Sequence, residues 1–176
     1  GDKCAAHPLA FWKEGRTLIN AYGPTENTVG ATAGIVENLH HIRNIGFPFR
    51  NVSCYVLDER MRLLPPGVSG ELHIGGIQLT TGYINRPELN AQKFVLNPFV
   101  TIAEKKADIN TILYKSGDRV RLLPDGTLEF IGRIDTQLKI RGYRIEPGEI
   151  ELLICRFPGI SQACVIARGK EADKRL

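Results

Sequence analysis

Turn residues recur at short intervals between residues 46 and 132, and this spacing constrains the fold more than any other feature of the chain. The clearest case is the stretch DRVRLLPDGTLEFIGR, in which Pro124, Asp125 and Gly126 separate two runs of alternating apolar residues. A period of two is typical of a strand with one buried face, and a Pro-Asp-Gly turn joins two such strands into a hairpin. The region is therefore predicted to form a small barrel or a distorted sandwich of short strands.

Other segments near these strands carry different patterns. The stretch RPELNAQKF predicts a helix, because Pro87 stands in the first turn, where a missing N–H costs nothing, and good helix formers follow it. Residues 9–14 (LAFWKE) indicate a short helix, and residues 17–19 (TLI) a short buried strand. The polar residues 100–113 are predicted to form a surface loop.

A second unit is predicted to begin near Asp135. The stretch QLKIRGYRIE indicates a tight hairpin around Gly142, and EPGEIELLICRF a helix with Pro147 near its first position. Residues 161–168 (SQACVIAR) are predicted to form a strand. This ββαβ order is typical of the beginning of a small α+β unit.

Composition excludes several classes of function. The net charge of the 176 residues is +4, and no run of five basic residues occurs, so neither nucleic acid nor a membrane surface is an expected partner. No apolar stretch approaches the about 20 residues that span a bilayer. The cysteines lack metal-site spacing, which predicts free thiols and a cytoplasmic location. These cysteines are Cys4, Cys54, Cys155 and Cys164.

Four polar clusters lie at turns or strand ends, and the first of them is NAYGPTE. The Gly23-Pro24 turn projects Thr25 and Glu26 together, and a hydroxyl beside a carboxylate suits a phosphate and a Mg²⁺ ion. Tyr22 offers a flat face to a nucleobase. The residues alone are equally consistent with a surface turn that carries a capping threonine.

The other three clusters are GELHIGGIQLTTGY, YKSGDRVR and GRIDTQLKIRGYRIEPGE. The glycines of the second suit β-bulges and barrel corners, since a P-loop lysine is absent. Asp118 in the third suits the vicinal hydroxyls of a ribose, although an Asp after Gly is also an ordinary turn residue. The fourth connects the two predicted units and is either a hinge that places Arg133 or Lys139 at a cleft, or a solvated hairpin.

In this order the four clusters resemble the later core motifs of the adenylate-forming, or AMP-binding, enzymes. They are most similar to the adenylation domains of nonribosomal peptide synthetases, and NRPELNAQKF favours that branch over the acyl-CoA synthetases. The resemblance covers nearly the whole chain. It implies that an amino acid is activated with ATP and Mg²⁺ to an aminoacyl-adenylate, with release of pyrophosphate, and then passes to the phosphopantetheine thiol of a peptidyl carrier protein.

The resemblance also implies a fold class and a division of the chain. The fold is expected to mix α/β and β structure in three parts. Residues 1–45 would be the end of a large α/β subdomain with the nucleotide loop, and residues 46–134 a distorted β-barrel subdomain. Residues 135–176 would be the hinge and the beginning of a small C-terminal α+β subdomain.

Individual residues take roles from the same resemblance. Tyr22 is expected to stack on adenine with Asn20 near its amino group, and Asp118 to bind the ribose hydroxyls. Thr25 is expected to contact the α-phosphate and Glu26 to hold Mg²⁺. The implied nucleotide-binding residues are Asn20, Tyr22, Gly23, Thr25, Asp118, Phe130 and Arg133.

Further roles concern the substrate and the second half-reaction. Asp135 would be the hinge, and Gly142 would leave room for the pantetheine arm in the thiol tunnel. Thr25 and Lys139 are the candidate catalytic residues. The positions expected to line the amino-acid pocket are Ala21, Val29 and Gly30, and since none is charged they favour an uncharged side chain.

The chain also departs from the pattern of the family. It contains no Ser/Thr/Gly-rich phosphate loop with its lysine, and no late lysine of the small domain. Electrostatic stabilisation is usually the largest catalytic contribution, so these 176 residues are predicted to be an inactive part of an adenylation domain. Two alternatives are an acyl-CoA synthetase or stand-alone carrier-protein ligase, and a noncatalytic interaction scaffold of the same fold.

Overall fold

The computed structural model describes residues 6–38, 41–140, 143–169 and 175–176. Contacts between residues divide the chain into a larger unit that ends at Ile134 and a smaller unit that begins at Asp135. Both helices and strands are present, which confirms the predicted mixed fold class. The three-part division at residues 45 and 134 stays a prediction.

The larger unit alternates short strands with short helices. In chain order its elements are α1 (Ala6–Lys13), β1 (Ile19–Tyr22), β2 (Thr32–Ile35), β3 (Asn44–Pro48), β4 (Val52–Leu57), β5 (Ser69–Gly76), α2 (Pro87–Lys93), β6 (Phe94–Leu96), α3 (Ile102–Lys106), β7 (Ile112–Leu122) and β8 (Leu128–Arg133). The smaller unit contains β9 (Leu138–Ile140), β10 (Tyr143–Ile145) and α4 (Pro147–Ile154). None of the helices in the described part of the chain has the length and apolar character needed to span a membrane.

The strands of the larger unit form one antiparallel sheet in the order β1-β2-β3-β8-β7-β5-β4, and β6 also pairs with β7. Strand β7 is the longest, and it pairs with β5 along one side. On its other side β7 pairs first with β6, around Tyr114, and then with β8 from Asp118 onward. Gly117, with a φ of +71°, lies where the partner changes. The strand bends at this glycine, and Asp118, which follows it, is the first residue of β7 that pairs with β8.

The predicted barrel is not closed. In the part of the chain that the structure describes, the sheet begins at β1 and ends at β4, and these two strands do not pair with each other. Closure requires tilted end strands long enough to share a hydrogen-bond register. Strand β1 has only four residues, and its first residue, Ile19, is 61% exposed. The result is an open, distorted sheet.

A hydrophobic core lies under the middle of this sheet. Each apolar side chain that leaves water contributes about 1.5–3 kcal/mol to folding. The partly buried rings of Tyr22 and Phe130 pack against this core. Its buried members are Ala31, Ile45, Val52, Val56, Leu72, Ile74, Val120 and Leu128. The core therefore supports two of the residues that sequence analysis assigns to the nucleotide.

Several local predictions are confirmed. The turn at Pro124–Gly126 joins β7 to β8, and these strands pair antiparallel from Leu122–Leu128 to Asp118–Arg133. Helix α2 begins at Pro87, as its sequence predicts. In the smaller unit β9 pairs antiparallel with β10, and α4 begins at Pro147.

Three local predictions are wrong. The strand expected at residues 17–19 begins only at Ile19, so that Asn20, Ala21 and Tyr22 of the first cluster belong to β1. The segment 100–113 contains the helix α3, whose first turn is closed by a capping box between Thr101 and Glu104. Residues 161–167 form no strand, since no partner strand lies beside them among the described residues of the smaller unit.

Candidate functional site

Side chains from three different strands form one cluster around the carboxylate of Asp118. Asp118 on β7 lies opposite Arg133 on β8 in the register of the hairpin. The guanidinium Nη1 of Arg133 lies 2.8 Å from Oδ1 of Asp118. The hydroxyl of Tyr22, the last residue of β1, donates a hydrogen bond to Oδ2 of the same carboxylate. Each carboxylate oxygen thus has its own donor.

The Asp118 carboxylate is fixed as well as paired. Asp118 is only 6% exposed, and its backbone N–H donates to the hydroxyl oxygen of Ser116 at 3.0 Å. That hydroxyl in turn donates to the backbone carbonyl of Leu72 on β5 at 2.7 Å. Because a buried carboxylate is stable only when its partners satisfy it, the arrangement leaves Asp118 little freedom to rotate.

Tyr22 acts in this cluster as a neutral donor. Burial raises the pKa of the Tyr22 phenol well above its ordinary value, and the negative charge of Asp118 raises that pKa further. Both causes disfavour the phenolate, because it would be a second anion in a poorly solvated position. The Tyr22 hydroxyl therefore keeps its proton, and its bond to Asp118, throughout the physiological pH range.

Two further predicted residues lie beside this cluster. The ring centroids of Tyr22 and Phe130 are 6.4 Å apart, with their planes tilted by 36°. The side-chain amide of Asn20 donates to the carbonyls of Asn44 at 2.7 Å and Ile42 at 3.2 Å. These two bonds tie β1 to β3 and to the segment just before it, so Asn20 has a structural role in addition to its predicted place near adenine.

Glu26 forms a separate cluster. It is 4% exposed, and its Oε1 accepts a hydrogen bond from the hydroxyl of Tyr83. The backbone carbonyl of Glu26 accepts from the N–H of Thr80 at 2.8 Å. Burial, followed by the hydrogen bond to Glu26, raises the pKa of the Tyr83 phenol above its ordinary value. Thr25, the neighbour of Glu26, is exposed at the start of a 3-10 turn, Thr25–Asn27.

Sequence reasoning missed Tyr83. Its position at the end of the glycine-rich cluster GELHIGGIQLTTGY was the available signal, but those glycines suggested bulges rather than a site. The contact with Glu26 spans 57 positions of the chain. A pattern of neighbouring residues cannot indicate a contact between such distant positions.

The residues predicted for the amino-acid pocket lie on or beside the tight loop after the 3-10 turn. Val29 has a φ of +74° and is 82% exposed, which is an uncommon backbone conformation for a β-branched residue. Gly23 packs against this loop, because a Cβ atom there would lie 2.4 Å from the carbonyl oxygen of Val29. A Cβ at Gly30 would lie 2.6 Å from the ring of Phe49. Ala21 is exposed on β1.

The remaining predicted residues belong to the smaller unit. Asp135 is exposed, and its carboxylate accepts from the backbone N–H of Gln137 at 3.3 Å. Lys139 is exposed on β9, opposite Arg144 on β10. Gly142 lies outside the described residues. The hinge, catalytic and thiol-tunnel roles of these residues stay predictions.

Comparison with known proteins identifies relatives of this chain. The family model described as AMP-binding enzyme matches residues 1–84. Bacitracin synthase 3 of Bacillus licheniformis is 51% identical over 168 residues, which are 96% of this chain and 2% of that protein. Bacitracin synthase 1 of the same organism is 48% identical over 158 residues, which are 90% of this chain and 3% of that protein. The chain thus spans only a small fraction of the curated relatives it matches.

Solved structures give the same result for the fold. The structure of PA1221, an NRPS protein containing adenylation and PCP domains, superposes with a TM-score of 0.80 at 28% identity. The match covers 99% of this chain and 35% of that one. Holo-AB3403, a four-domain nonribosomal peptide synthetase bound to AMP and glycine, is 40% identical with a TM-score of 0.66, and the match covers 99% of this chain and 13% of that one.

Proposed function

The chain belongs to the AMP-binding enzyme family, and we propose that it supplies the nucleotide-facing part of an adenylation domain in a nonribosomal peptide synthetase. In the first half-reaction a carboxylate oxygen of the amino acid attacks the α-phosphorus of ATP, and the bond to pyrophosphate breaks. In the second, the thiol of a carrier-bound phosphopantetheine attacks the acyl carbon, so that a thioester forms and AMP leaves.

The convergence of Tyr22, Asp118 and Arg133 is the single observation that carries this proposal. A carboxylate buried at the junction of three strands is costly to maintain for stability alone, since apolar residues of similar volume are often as stable. The same carboxylate suits a diol. A carboxylate has about four lone-pair sites, so ribose hydroxyls can bind it alongside Tyr22 and Arg133. Tyr22 and Arg133 hold both oxygens in a fixed orientation before the nucleotide arrives.

Tyr22 and Phe130 supply the flat surfaces that a purine needs. Their ring centroids are 6.4 Å apart, and the hydroxyl of Tyr22 bonds to Asp118. Stacking of a base on an aromatic side chain contributes about 1–3 kcal/mol in nucleic-acid complexes. The adenine is proposed to stack on Tyr22 while its ribose reaches Asp118, so that one tyrosine serves the base through its ring and the sugar through its hydroxyl.

Glu26 fits the metal role. Mg²⁺ usually binds one or two protein carboxylates together with substrate phosphates, so a single well-ordered carboxylate is an adequate protein ligand. Glu26 is buried and its Oε1 is oriented by the phenol of Tyr83. When bound, the ion would neutralise the charge that develops on the phosphates. Thr25, which is exposed beside Glu26, is proposed to donate its hydroxyl to a phosphate oxygen.

The substrate pocket and the second half-reaction complete the proposal. Ala21, Val29 and Gly30 are uncharged, which supports an amino acid with an uncharged side chain. Asp135 is proposed as the hinge, and Lys139 and Gly142 as parts of the hairpin that meets the pantetheine arm. The proposed partner is a peptidyl carrier protein, in line with the adenylation and PCP domains of PA1221.

Amino-acid-dependent ATP–pyrophosphate exchange tests this function. The complete adenylation domain should exchange radiolabelled pyrophosphate into ATP when its amino acid is present. The 176-residue chain should not, because it contains no phosphate-loop lysine. A complete domain that neither exchanges pyrophosphate nor binds ATP with any proteinogenic amino acid would favour the noncatalytic scaffold. Robust exchange by the 176 residues alone would contradict the prediction that they are inactive by themselves.

A further inference from the structure

Tyr83 is held at both ends. Its hydroxyl donates to Oε1 of Glu26, and its ring packs edge-on against Phe94 with centroids 5.6 Å apart. Its backbone is clasped by the side-chain amide of Asn90 on α2. The N–H of Tyr83 donates to Oδ1 of Asn90 at 2.7 Å, and Nδ2 of Asn90 donates to the carbonyl of Tyr83 at 2.9 Å.

The Asn90 amide lies so close to the backbone that it leaves no room for a side chain at Gly82. Gly82, beside Tyr83, has a φ of +133°, which favours glycine. A Cβ atom at Gly82 would lie 2.9 Å from Oδ1 of Asn90, so a larger residue there would push the amide away. Two reciprocal hydrogen bonds and a glycine with no room for a side chain thus fix Tyr83 relative to helix α2.

We propose that Tyr83 is a positioning residue for Glu26, and that Asn90 holds Tyr83 so that helix α2 sets the orientation of the metal-binding carboxylate. This inference rests on the proposed function, in which Glu26 takes the divalent cation. It also gives a purpose to Asn90 within the stretch NRPELNAQKF, whose pattern predicts helix α2 and favours the peptide-synthetase branch of the family. Neither Tyr83 nor Asn90 contacts the nucleotide in this account, and both act through Glu26.

The physical basis is the cost of orienting a ligand. A carboxylate that already accepts one fixed hydrogen bond loses less rotational freedom when it binds a cation. Removing a residue that hydrogen-bonds a metal ligand typically lowers metal affinity or activity by about 10–100-fold. The contact between Tyr83 and Glu26 joins two loops 57 positions apart, so it also fixes the first cluster against the segment that precedes α2.

The test compares variants of the complete adenylation domain in their response to Mn²⁺, which prefers the same oxygen ligands as Mg²⁺. Binding of a non-hydrolysable ATP analogue is measured by calorimetry over a range of Mn²⁺ concentrations, and bound Mn²⁺ is measured by electron paramagnetic resonance. Tyr83→Phe removes the hydroxyl, and Asn90→Ala removes the clasp. Tyr55→Phe is the matched control, because Tyr55 stacks on Phe99 at 4.9 Å on another part of the sheet.

The Mn²⁺ concentration for half-maximal nucleotide binding should rise about tenfold in Tyr83→Phe and by a smaller factor in Asn90→Ala. It should not change in Tyr55→Phe, and nucleotide affinity in excess chelator should be the same in all four proteins. A merely structural role for Tyr83 would instead lower affinity equally with and without the metal, and that result would overturn the inference.

The outcomes separate this inference from the proposed function. Wild-type protein that binds no nucleotide would contradict the proposed function and the inference with it. Wild-type protein with metal-dependent binding, together with an unchanged Tyr83→Phe, would overturn the inference alone. If Tyr83→Phe does not fold, an unchanged half-saturation in Asn90→Ala, which keeps the phenol, would overturn it equally.

Discussion

The hydroxyl of Tyr22 donates a hydrogen bond to Oδ2 of Asp118, and this bond connects two residues that are 96 positions apart in the chain. It joins the end of β1 to the middle of β7, two strands that are separated in the sheet by β2, β3 and β8. The bond therefore links strands that are not neighbours rather than following the ladder of the sheet. One contact thus connects the first sequence cluster to the third, which is how the proposed site is assembled.

The contribution of this bond to stability should depend on pH. The folded-state pKa of Tyr22 is raised above its unfolded value of about 10, so the contribution is complete below pH 10 and is lost as the pH rises further. Tyr22→Phe should lower the free energy of unfolding by about 1.5–3 kcal/mol at pH 8, as expected for a hydrogen bond to a charged group. Urea denaturation from pH 8 to 11 should show this difference shrinking above pH 10. A difference that is constant to pH 11 would contradict the buried phenol.

The ion pair between Arg133 and Asp118 should contribute more to the free energy of unfolding than a second ion pair on the same hairpin. Arg133→Met leaves Asp118 as a buried charge with one donor fewer, and losses of this kind cost about 3–5 kcal/mol. Arg121→Met is the matched control, because Arg121 pairs with Glu129 on the exposed part of the hairpin, where such pairs contribute about 0–1 kcal/mol. Urea denaturation measures both. Equal losses in the two variants would show that the site pair is not buried in solution.

The thiol of Cys54 should be unreactive at moderate pH. Burial raises the pKa of Cys54 to about 12, so only about 10⁻⁴ of it is thiolate at pH 8. Cys164 is exposed and serves as the internal reference. Iodoacetamide labelling at pH 8, followed by peptide mass spectrometry, should modify Cys54 at least about 100-fold more slowly than Cys164, and denaturation in urea should remove the difference. Equal rates in the native protein would contradict the packing of Cys54 against the core.

A methyl group at Gly23 should destabilise the tight loop that carries Val29 and Gly30. The Cβ atom of Gly23→Ala would lie 2.4 Å from the carbonyl oxygen of Val29, a backbone atom that cannot rotate away. Overpacking of this kind costs about 1–3 kcal/mol. Gly132→Ala is the control, since no atom of the described residues lies within 4 Å of the Cβ position there. Thermal denaturation should show a lower midpoint for Gly23→Ala only, and equal midpoints would mean that the loop is placed differently.

Local features were predictable from the sequence because neighbouring residues determine them. The hairpin at Pro124–Gly126 and the start of α2 at Pro87 depend on the backbone limits of Pro and Gly, and both are where the pattern predicts them. The prediction placed strand β1 too early in the chain, because Asn20 is of a type depleted in strands and the Gly23-Pro24 turn follows shortly after it. The strand conformation of Asn20 and Tyr22 comes from pairing with β2, which the local sequence does not describe.

Features that depend on distant contacts were only partly predictable. The sequence order of the clusters indicated that Tyr22 and Asp118 belong to one site, but it could not predict that they bond directly. Tyr83 was missed for the same reason, since its partner Glu26 belongs to another cluster. Barrel closure also depends on whether the end strands β1 and β4 reach each other, and no local pattern reports that.

The most direct test of the central claim compares the affinity of the complete adenylation domain for ATP and for 2′,3′-dideoxy-ATP. If Asp118 binds the ribose hydroxyls, wild-type protein should bind ATP about 10–100-fold more tightly, because charge-assisted hydrogen bonds contribute about 1.5–3 kcal/mol. In Asp118→Asn this preference should fall to about twofold or less, while the affinity for the dideoxy nucleotide stays unchanged. Wild-type protein that binds the two nucleotides equally, or a preference that survives in Asp118→Asn, would contradict the claim that Tyr22, Asp118 and Arg133 form the ribose end of a nucleotide site.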